Sequence, residues 1–517
     1  MVSVESQVSE SSETGAVLKT LERARVEKGT LLLIVASVIF VAARLWHLTS
    51  YGFFGDEVFT LWTSTQQWHS LFSWVVEDVV HPPLFYALLK IWIDIGGQSL
   101  LWIKLLPALL SIISLVPFFL LCRELRINSA ASLLALWLMA VNGFLITHAQ
   151  ESRMYSLLLL LVLCSFWLFM KLQNCGRDTG RIHVALGAVN LLLVFTHYFG
   201  WVIVALEFVC LLIWRREQML RFGMVAVVIA MCFSPWAYLV MSAARANPSR
   251  ATFFWNRPPA WSELVGYYAN LNGPLSYRWK VFGTGAVMLV FLSPIVWRCV
   301  RVSRPRQPRE ESRFWFLILF AFVPVALAFV ASYVLPQPVW AFRYLIIAAP
   351  AYFLALAVAV GRLTSTPIRI VFIMLIAGWA GLSGFTEMLN RDRVAWEPLV
   401  NRMMQAESVD EVDLMQTRTT PHSGIPVYVT DPNVGNTIQY YLDKAGETRF
   451  HIATVDNLSS PAEERWWAAS IRYKHETEPP LQNALEKTGY HISDVIEARA
   501  AGHSAVLLRV LKTDSLR

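Results

Sequence analysis

The chain has 517 residues, of which 56% are hydrophobic and only 16% are charged, and its mean hydropathy is +0.46. A soluble protein of this length carries more charge, so the composition argues against a soluble enzyme and indicates an integral membrane protein. The formal net charge is +7. Because the basic residues lie in short loops between apolar runs, that charge indicates membrane topology and not nucleic-acid binding.

The polar N-terminal tail is followed by apolar runs that alternate with short loops. A helix needs about 20 apolar residues to cross a bilayer core, and on this basis we predict about eleven spans. No small-residue cleavage site follows the first run, so we expect a retained anchor and not a signal peptide. The predicted spans are roughly residues 30–48, 100–121, 130–147, 155–171, 183–197, 199–214, 222–241, 281–298, 313–333, 344–361 and 368–386.

Two aromatic stretches after the first span are not typical membrane crossings. Residues 58–76, "VFTLWTSTQQWHSLFSWVV", are amphipathic, and residues 81–96, "HPPLFYALLKIWIDIG", are short and carry two charged side chains. Proline suits the first turn of a helix, so the second stretch is predicted to begin a helix at Pro82 or Pro83. We expect both stretches to lie in the membrane interface.

The distribution of Lys and Arg predicts the topology. These residues are concentrated in the N-terminal tail and in alternate loops. The positive-inside rule therefore places the N-terminus in the cytoplasm, and an odd number of spans places the last stretch of about 130 residues outside. There, "PVYVT", "RFHIATV" and "SAVLLRVL" are typical of strands, and "NTIQYYLDKAG" is typical of a helix. The predicted parts are a cytoplasmic tail, 1–29, a transmembrane domain, 30–386, and a periplasmic α/β domain, 387–517.

Polar residues gather in loops that the predicted topology places outside. The topology is predicted from the distribution of Lys and Arg and is independent of these clusters. Carboxylates at a membrane surface can act as general bases toward a hydroxyl or can bind a cation. Arginines at the same depth can bind a phosphate through paired charge-assisted hydrogen bonds. The sequence thus predicts an outward-facing site for a lipid-phosphate substrate. The clusters are "GDE" (55–57), "HPP" (81–83), "HAQESRMY" (148–155), "THYFG" (196–200) and "VWAFRYL" (339–345).

Five motifs resemble those of GT-C membrane glycosyltransferases: "GDEVFTLW", "HPPLFYALLKIW", "LLPALLSI", "QESRMYSLLLL" and "RYLIIAAPAYFLAL". The similarity is greatest to the bacterial branch related to protein O-mannosyltransferases and the lipid A aminoarabinose transferase. It implies an all-α polytopic membrane fold with about 11 transmembrane helices, interfacial helices and a small C-terminal α/β domain. It also implies inverting transfer of a sugar from a polyprenyl phosphate to a lipid, glycan or protein acceptor, outside the bacterial inner membrane.

The resemblance assigns roles to individual residues. Asp56 matches the acidic residue that acts as base or positions the acceptor, and Glu57 is its partner. Two departures affect these roles: Lys104 stands where relatives usually have Arg, and His81 replaces a Lys, which argues against aminoarabinose as the sugar. The residues predicted to bind substrate, two of them from the outer turn "THYFG", are His81, Glu151, Arg153, Tyr155, His197, Tyr198, Arg343 and Tyr344.

Other readings stay open at this point. The carboxylates can be solvated loop residues or helix caps, and Glu151 with Arg153 can form a structural ion pair. No cofactor is predicted with certainty, although Asp56, Glu57 and Glu151 could bind a divalent cation. Glu207 lies within a predicted span, where a carboxylate is costly. It is the residue that would serve the rival function, a transporter or flippase of a lipid-linked sugar.

Overall fold

The computed structural model shows a helical bundle followed by a small mixed α/β unit, as the sequence predicts. The described residues are 27–176, 179–246, 258–273, 282–300, 308–389, 394–414, 424–429, 431–454, 465–473, 490–499 and 503–512.

The described helices of the bundle follow in chain order. The first eight are α1 Glu27–Leu45, α2 Asp56–Thr65, α3 Trp68–Asp78, α4 Leu84–Gly96, α5 Leu100–Ile113, α6 Leu115–Glu124, α7 Ser129–Val141 and α8 Gly143–Ala149. The next seven are α9 Tyr155–Asn174, α10 Gly180–Thr196, α11 Gly200–Trp214, α12 Arg216–Ala246, α13 Trp261–Leu271, α14 Phe282–Val300 and α15 Pro308–Val334. A 3₁₀ helix, Phe342–Ala348, leads into α16 Ala349–Gly361, and α17 Thr366–Leu389 follows.

Every predicted span coincides with helix, but the helices differ in their ability to cross a membrane. Seven described helices are long and apolar enough, and the bent pair α7–α8 makes an eighth candidate. The bend of 61° falls at Asn142, whose side chain caps α8 by accepting a hydrogen bond from the Leu145 N–H. Helices α10, α11 and α14 are apolar but shorter.

The two stretches predicted to lie in the interface are helical. Residues 58–76 form two helices, α2 and α3, which are separated by a break near Gln66. Helix α4 begins directly after the second proline of "HPP", because Pro83 occupies its N-cap. Their orientation in the membrane stays a prediction.

Helices α9 and α16 form the centre of the bundle. In their apolar windows 78% and 89% of residues are buried, against 17% in α12 and in α17. A helix that is apolar on all sides belongs in a core. The segments that precede α9 and α16 carry Arg153 and Arg343, so the two central helices begin at the same polar site.

The C-terminal unit is a five-stranded sheet with the strand order β2-β1-β3-β5-β4. Strand β1 pairs in parallel with β2 and β3, whereas β5 pairs antiparallel with β3 and β4. All three predicted strands and the predicted helix are present. The elements are α18 Trp396–Leu414, β1 Ile425–Val429, α19 Pro432–Ala445, β2 Phe450–Thr454, β3 Arg465–Tyr473, β4 Tyr490–Arg499 and β5 His503–Lys512.

Helix α19 packs against the loop that leads to Asp56. The Tyr441 hydroxyl donates a hydrogen bond to the Phe53 carbonyl over 3.0 Å. The Gly55 N–H donates to the Thr437 hydroxyl, also over 3.0 Å. A Cβ atom at residue 52 would collide with the Tyr441 hydroxyl, so this close approach requires Gly52. The C-terminal unit therefore fixes the backbone directly before the first acidic residue of the site.

Candidate active site

Asp56 begins α2 with its carboxylate between two arginines. The turn into the helix uses Gly55 at φ 52°, in the left-handed region that favours glycine. The Asp56 Oδ2 lies 3.2 Å from Arg343 Nη1 and 3.8 Å from Arg153 Nη2. Because the Asp56 side chain is 38% exposed, one face of this carboxylate remains accessible to a substrate.

Arg153 is buried and is held by several elements at once. Its Nη1 donates to the Thr60 hydroxyl over 2.6 Å and to the Asp56 carbonyl over 3.1 Å. Its Nη2 lies 3.4 Å from both ring nitrogens of His81. These contacts fix the orientation of the guanidinium. A group with a fixed orientation can stabilise a developing charge without reorganising.

Arg343 is more exposed to solvent than Arg153. Its side chain is 45% exposed, and its charge faces the Asp56 carboxylate from the 3₁₀ helix before α16. The guanidinium carbon lies 5.6 Å from the centroid of the Tyr344 ring. One arginine of the pair is thus buried and held by hydrogen bonds, and the other is accessible to a ligand.

Three rings line the floor of the site. The ring of Tyr344 lies 4.9 Å from that of His197 and 6.1 Å from that of His81, and the two imidazoles are 6.0 Å apart, centroid to centroid. Burial lowers the pKa of His81 and of His197 well below the ordinary histidine value, and the neighbouring arginines lower both further. Both imidazoles are therefore neutral at physiological pH.

Asp78, which the sequence analysis did not single out, also belongs to the site. Its Oδ2 lies 3.5 Å from His81 Nδ1 at the end of α3. Burial raises the pKa of Asp78 to about 6, although the charge of Arg153 opposes that shift. The spacing of three residues between Asp78 and His81 was the available signal, and it is too common in loops to stand out.

Glu57 lies apart from the open face of Asp56. Its side chain is 8% exposed, and its Oε1 accepts a hydrogen bond from the Ser152 N–H over 2.8 Å. The Nζ of Lys104, which is itself buried, lies 3.9 Å from the same oxygen. Adjacent residues of a helix project about 100° apart, which explains how one carboxylate faces the site and the next faces the core.

The remaining predicted residues surround this centre. Glu151 pairs with His148, with 2.6 Å between Oε2 and Nδ1. The Tyr155 ring is buried 4.7 Å from the His148 ring. The Tyr198 hydroxyl donates to the Val79 carbonyl over 3.4 Å, so it supports the loop that carries His81.

The charge of the centre is set by the arginines. Burial alone would raise the pKa of Asp56, but Arg153 and Arg343 outweigh it and lower that pKa below the ordinary value. Asp56 is therefore a carboxylate at neutral pH.

Within the described part of the chain, no three His, Cys, Asp or Glu side chains could hold a metal ion. Asp56 faces two guanidinium groups and Glu57 faces an ammonium, so this donor set does not fit a divalent cation.

Comparison with solved structures identifies the fold. The crystal structure of ArnT from Cupriavidus metallidurans bound to undecaprenyl phosphate superposes with a TM-score of 0.52 at 14% identity. The match covers 93% of this chain and 97% of that chain. The chain has the GT-C fold. The same ArnT in the apo state gives a TM-score of 0.51 at 14% identity and covers 94% of this chain and 98% of that one.

A weaker likeness concerns the oligosaccharyltransferase AglB from Archaeoglobus fulgidus in complex with an inhibitory peptide and a dolichol-phosphate. Its TM-score is 0.43 at 14% identity, with 81% of this chain and 64% of that chain covered, which is too low to establish a common fold. No family model matches the sequence, and no curated protein does.

Proposed function

We propose that this protein is an inverting glycosyltransferase of the bacterial inner membrane. It takes a hexose or pentose from a polyprenyl phosphate and transfers it to an acceptor outside the cytoplasm. The observation that carries the proposal is the half-exposed Asp56 carboxylate within 3.8 Å of both Arg153 and Arg343. These residues come from sequence segments far apart, and they bring together a base for an acceptor and two cations for a phosphate.

The transfer is a single in-line displacement. The acceptor oxygen forms a bond to the anomeric carbon from the face opposite the phosphate, and its proton passes to the Asp56 carboxylate. The bond between the anomeric carbon and the phosphate oxygen breaks, and its electron pair leaves with the polyprenyl phosphate. Arg153 and Arg343 stabilise the negative charge that develops on the leaving phosphate.

Donor binding prepares the base. In the free protein the arginines lower the pKa of Asp56, which makes it a weak proton acceptor. A bound phosphate competes with Asp56 for Arg343, the more exposed of the two arginines. Once the phosphate takes up that positive charge, the pKa of Asp56 rises and the carboxylate becomes a stronger base.

The helices before the site suit the donor's isoprenoid chain. Helices α2 and α3 expose large apolar side chains, namely Trp62, Trp68, Phe72 and Trp74. Aromatic side chains of this kind favour the membrane interface. The similar ArnT is bound to undecaprenyl phosphate, which is a polyprenyl phosphate like the carrier lipid proposed here. In the proposed topology, the N-terminus is cytoplasmic and the C-terminal domain is periplasmic.

One residue, His81, narrows the identity of the sugar. His81 is neutral and contacts Arg153, where the aminoarabinose enzymes of the resemblance carry a Lys. A neutral ring does not offer the same charge to the donor, so we favour a sugar other than aminoarabinose. A lipid, a surface glycan or a protein can supply the accepting hydroxyl.

The proposal is tested by transfer and transport assays on the same reconstituted vesicles. A polyprenyl-phosphate sugar labelled in the sugar is supplied with extracts of acceptor, and both product and donor sidedness are measured. Asp56→Asn should lower transfer by about 10³-fold, within the range of general-base catalysis. Asp94→Asn is the matched control, since Asp94 is 54% exposed on α4 and pairs with Lys90. Full transfer by Asp56→Asn would refute the base role, and label that changes sides unconsumed would show a transporter.

A further inference from the structure

A groove between α10 and α12 lies far from Asp56. It has a volume of about 490 Å³ and extends from Gly180, the first residue of α10, to Leu191. Helix α10 has 17 residues and ends directly before His197 of the candidate active site, so the start of the groove lies about 25 Å from that site. The groove is therefore separate from the place of sugar transfer.

The two helices that form the groove run side by side in the same direction. Arg221 of α12 contacts Thr179 just before α10, and further along Gly187 faces Val225. A Cβ atom at residue 187 would lie 2.6 Å from Val225 Cγ1, so this close approach requires glycine. Beside that contact the groove continues for about 16 Å along α10, which suits a single extended acyl chain. Its apolar walls are Val184, Ala188, Leu191, Met224, Val228 and Ile229.

The polar end of the groove carries one guanidinium group, that of Arg221. Its Nη1 donates to the Thr179 hydroxyl over 3.3 Å. Glu217, one turn earlier in α12, pairs with Arg215, and Arg221 has no ion pair within the described part of the chain. A planar guanidinium matches a phosphate in two-pronged hydrogen bonding. An apolar groove with a cation at its end is complementary in polarity and charge to a phospholipid.

The second polar group of the lining is the His183 ring, which is 4% exposed. Its Nδ1 lies 2.9 Å from the Thr179 carbonyl. Because a carbonyl only accepts, Nδ1 carries a proton, and in the neutral ring Nε2 is a hydrogen-bond acceptor. Among the residues that the structure describes, nothing donates to Nε2. Buried polar atoms normally have a partner, so we expect a ligand in the groove to bring a donor to this nitrogen.

The order of these groups along the groove specifies the ligand. Arg221 lies level with Thr179, His183 follows one turn further into the bundle, and the apolar walls come next. A matching molecule has a phosphate, then a hydroxyl, then one hydrocarbon chain. In a lysophospholipid the free hydroxyl of the glycerol lies between the phosphate and the single acyl chain, whereas a diacyl phospholipid has no hydroxyl there.

We infer that this groove binds a lysophospholipid, with its phosphate on Arg221, its glycerol hydroxyl donating to His183 Nε2 and its acyl chain between α10 and α12. By the topology proposed above, the lipid comes from the cytoplasmic leaflet. It is distinct from the sugar donor, because the groove and His197 lie at opposite ends of α10.

The test measures binding and does not depend on glycosyl transfer. Full-length protein in detergent is titrated with lysophosphatidylcholine, with its analogue that lacks the glycerol hydroxyl, and with diacyl phosphatidylcholine, and binding is read by native mass spectrometry. A parallel sample is titrated with inorganic phosphate and read by calorimetry. Lysophosphatidylcholine suits the test because its choline group carries no hydrogen-bond donor, so the glycerol hydroxyl is its one donor.

Each part of the groove has its own variant. Arg221→Gln removes the cation, and its control is Arg216→Gln, an exposed arginine of α12 that donates to the Leu212 carbonyl and lies outside the groove. His183→Phe keeps a ring and removes Nε2. Ala188→Trp fills the groove, and its control is Ala230→Trp, at an exposed alanine of α12 that does not line it.

Arg221→Gln should bind lysophosphatidylcholine about tenfold more weakly than the wild type or Arg216→Gln, as the loss of charge-assisted hydrogen bonds predicts. Ala188→Trp should abolish binding, and Ala230→Trp should not. The wild type should prefer lysophosphatidylcholine to the analogue without the hydroxyl by about fivefold, and His183→Phe should lose that preference.

Three results would overturn the inference. Unchanged lipid binding in both Arg221→Gln and Ala188→Trp would show that the lipid lies elsewhere. Equal binding of the three lipids by the wild type would refute the role of His183 and the choice of a lysophospholipid. Inorganic phosphate that binds as tightly as the lipid would show a site for a soluble anion. Equal thermal midpoints for all variants verify that each comparison is made on folded protein.

Discussion

Two carboxylates of this membrane protein have opposite surroundings. Asp56 lies at the rim of the bundle, pairs with two arginines and has an exposed face. Glu207 lies inside α11 and is fully buried, and in the described part of the chain its hydrogen bonds come from two neutral groups, the Ser165 hydroxyl and the Asn190 amide, each 2.6 Å away. Both carboxylates have hydrogen-bond or ion-pair partners, but of the two only Asp56 is exposed enough to contact a substrate.

The difference shows what each site can do. A carboxylate between a buried and an exposed cation changes its pKa when an anion binds the exposed cation, so it can couple ligand binding to proton transfer. A carboxylate enclosed by an amide and a hydroxyl joins the helices that carry them, here α9, α10 and α11. These contacts are those expected of a carboxylate that holds helices together, which supports the proposed enzyme over the transporter.

Among the variants that keep the Asp56 carboxylate, the largest effect on transfer is expected at Arg343, the more exposed of the two arginines. Arg343→Gln should lower kcat/KM for the donor by about 100-fold, the loss typical when one preorganised donor to a developing charge is removed. It should also raise the pKa of Asp56, because Arg343 is one of the two charges that lower it. The measurement is kcat/KM for the donor between pH 4 and pH 8, which reports the free enzyme. As the pH is lowered, the wild-type value should stay flat to the acid end, and the value for Arg343→Gln should begin to fall at a higher pH. Arg343→Lys, which keeps the charge, should restore the wild-type profile, and an unchanged profile in Arg343→Gln would contradict the coupling.

Asp78 combines features of both carboxylates, since it is buried like Glu207 and close to charges like Asp56. The pKa of Asp78 is raised to about 6 by burial, whereas an unfolded Asp titrates near pH 4. Between these values the unfolded chain has lost a proton that the folded protein keeps, so this group's contribution to stability falls as pH rises from 4 to 6. Asp78→Asn should remove that decline, which is on the order of 3 kcal/mol.

The measurement for Asp78 is the thermal midpoint in detergent at several pH values. The wild-type midpoint should fall relative to the Asp78→Asn midpoint as pH rises through that window and run parallel above pH 6. Glu77→Gln, on the preceding residue of α3, is the control and should follow the wild type. Parallel curves for wild type and Asp78→Asn across the whole range would show that Asp78 titrates normally.

Local patterns made part of this centre predictable. The motifs of Asp56, His81, Arg153 and Arg343 are short, and their placement on one side follows from counting helices and charges. Glu57 is adjacent to Asp56 in sequence, but its side chain contacts the Ser152 N–H and lies near Lys104, away from the open face of Asp56, and its catalytic role stays a prediction. Their different surroundings depend on the rotation of about 100° per helical residue.

The support from the C-terminal unit left no signal in the sequence. The Gly55–Thr437 and Phe53–Tyr441 hydrogen bonds join residues 382 and 388 positions apart. A contact over such a separation depends on the tertiary arrangement and creates no periodicity or spacing. The same holds for Asn142, whose amide donates to the Leu271 carbonyl over 2.8 Å at the bend of α7–α8.

A smaller effect is expected when that support is weakened. The double substitution Thr437→Val with Tyr441→Phe removes both hydrogen bonds to the Asp56 loop, so kcat should fall about tenfold through misplacement of the carboxylate. KM for the donor should change little, because both arginines remain. Tyr440→Phe is the matched control, since it removes a hydroxyl from the same helix and keeps the ring edge against Phe53. A rise in KM with unchanged kcat would instead indicate that α19 contributes to donor binding.

The smallest effect on transfer is expected at Glu207. Glu207→Leu removes the acceptor for the Asn190 amide and the Ser165 hydroxyl, which should cost about 1–3 kcal/mol of stability. Transfer per folded molecule should remain within about twofold of wild type, because no contact made in the transition state is lost. Glu207→Gln keeps an amide oxygen for Asn190 and should regain most of the stability. Thermal midpoints and transfer rates normalised to folded protein separate the two effects. If Glu207→Gln were as stable as wild type and yet inactive, the carboxylate would take part in the chemistry, and the contrast with Asp56 would fail.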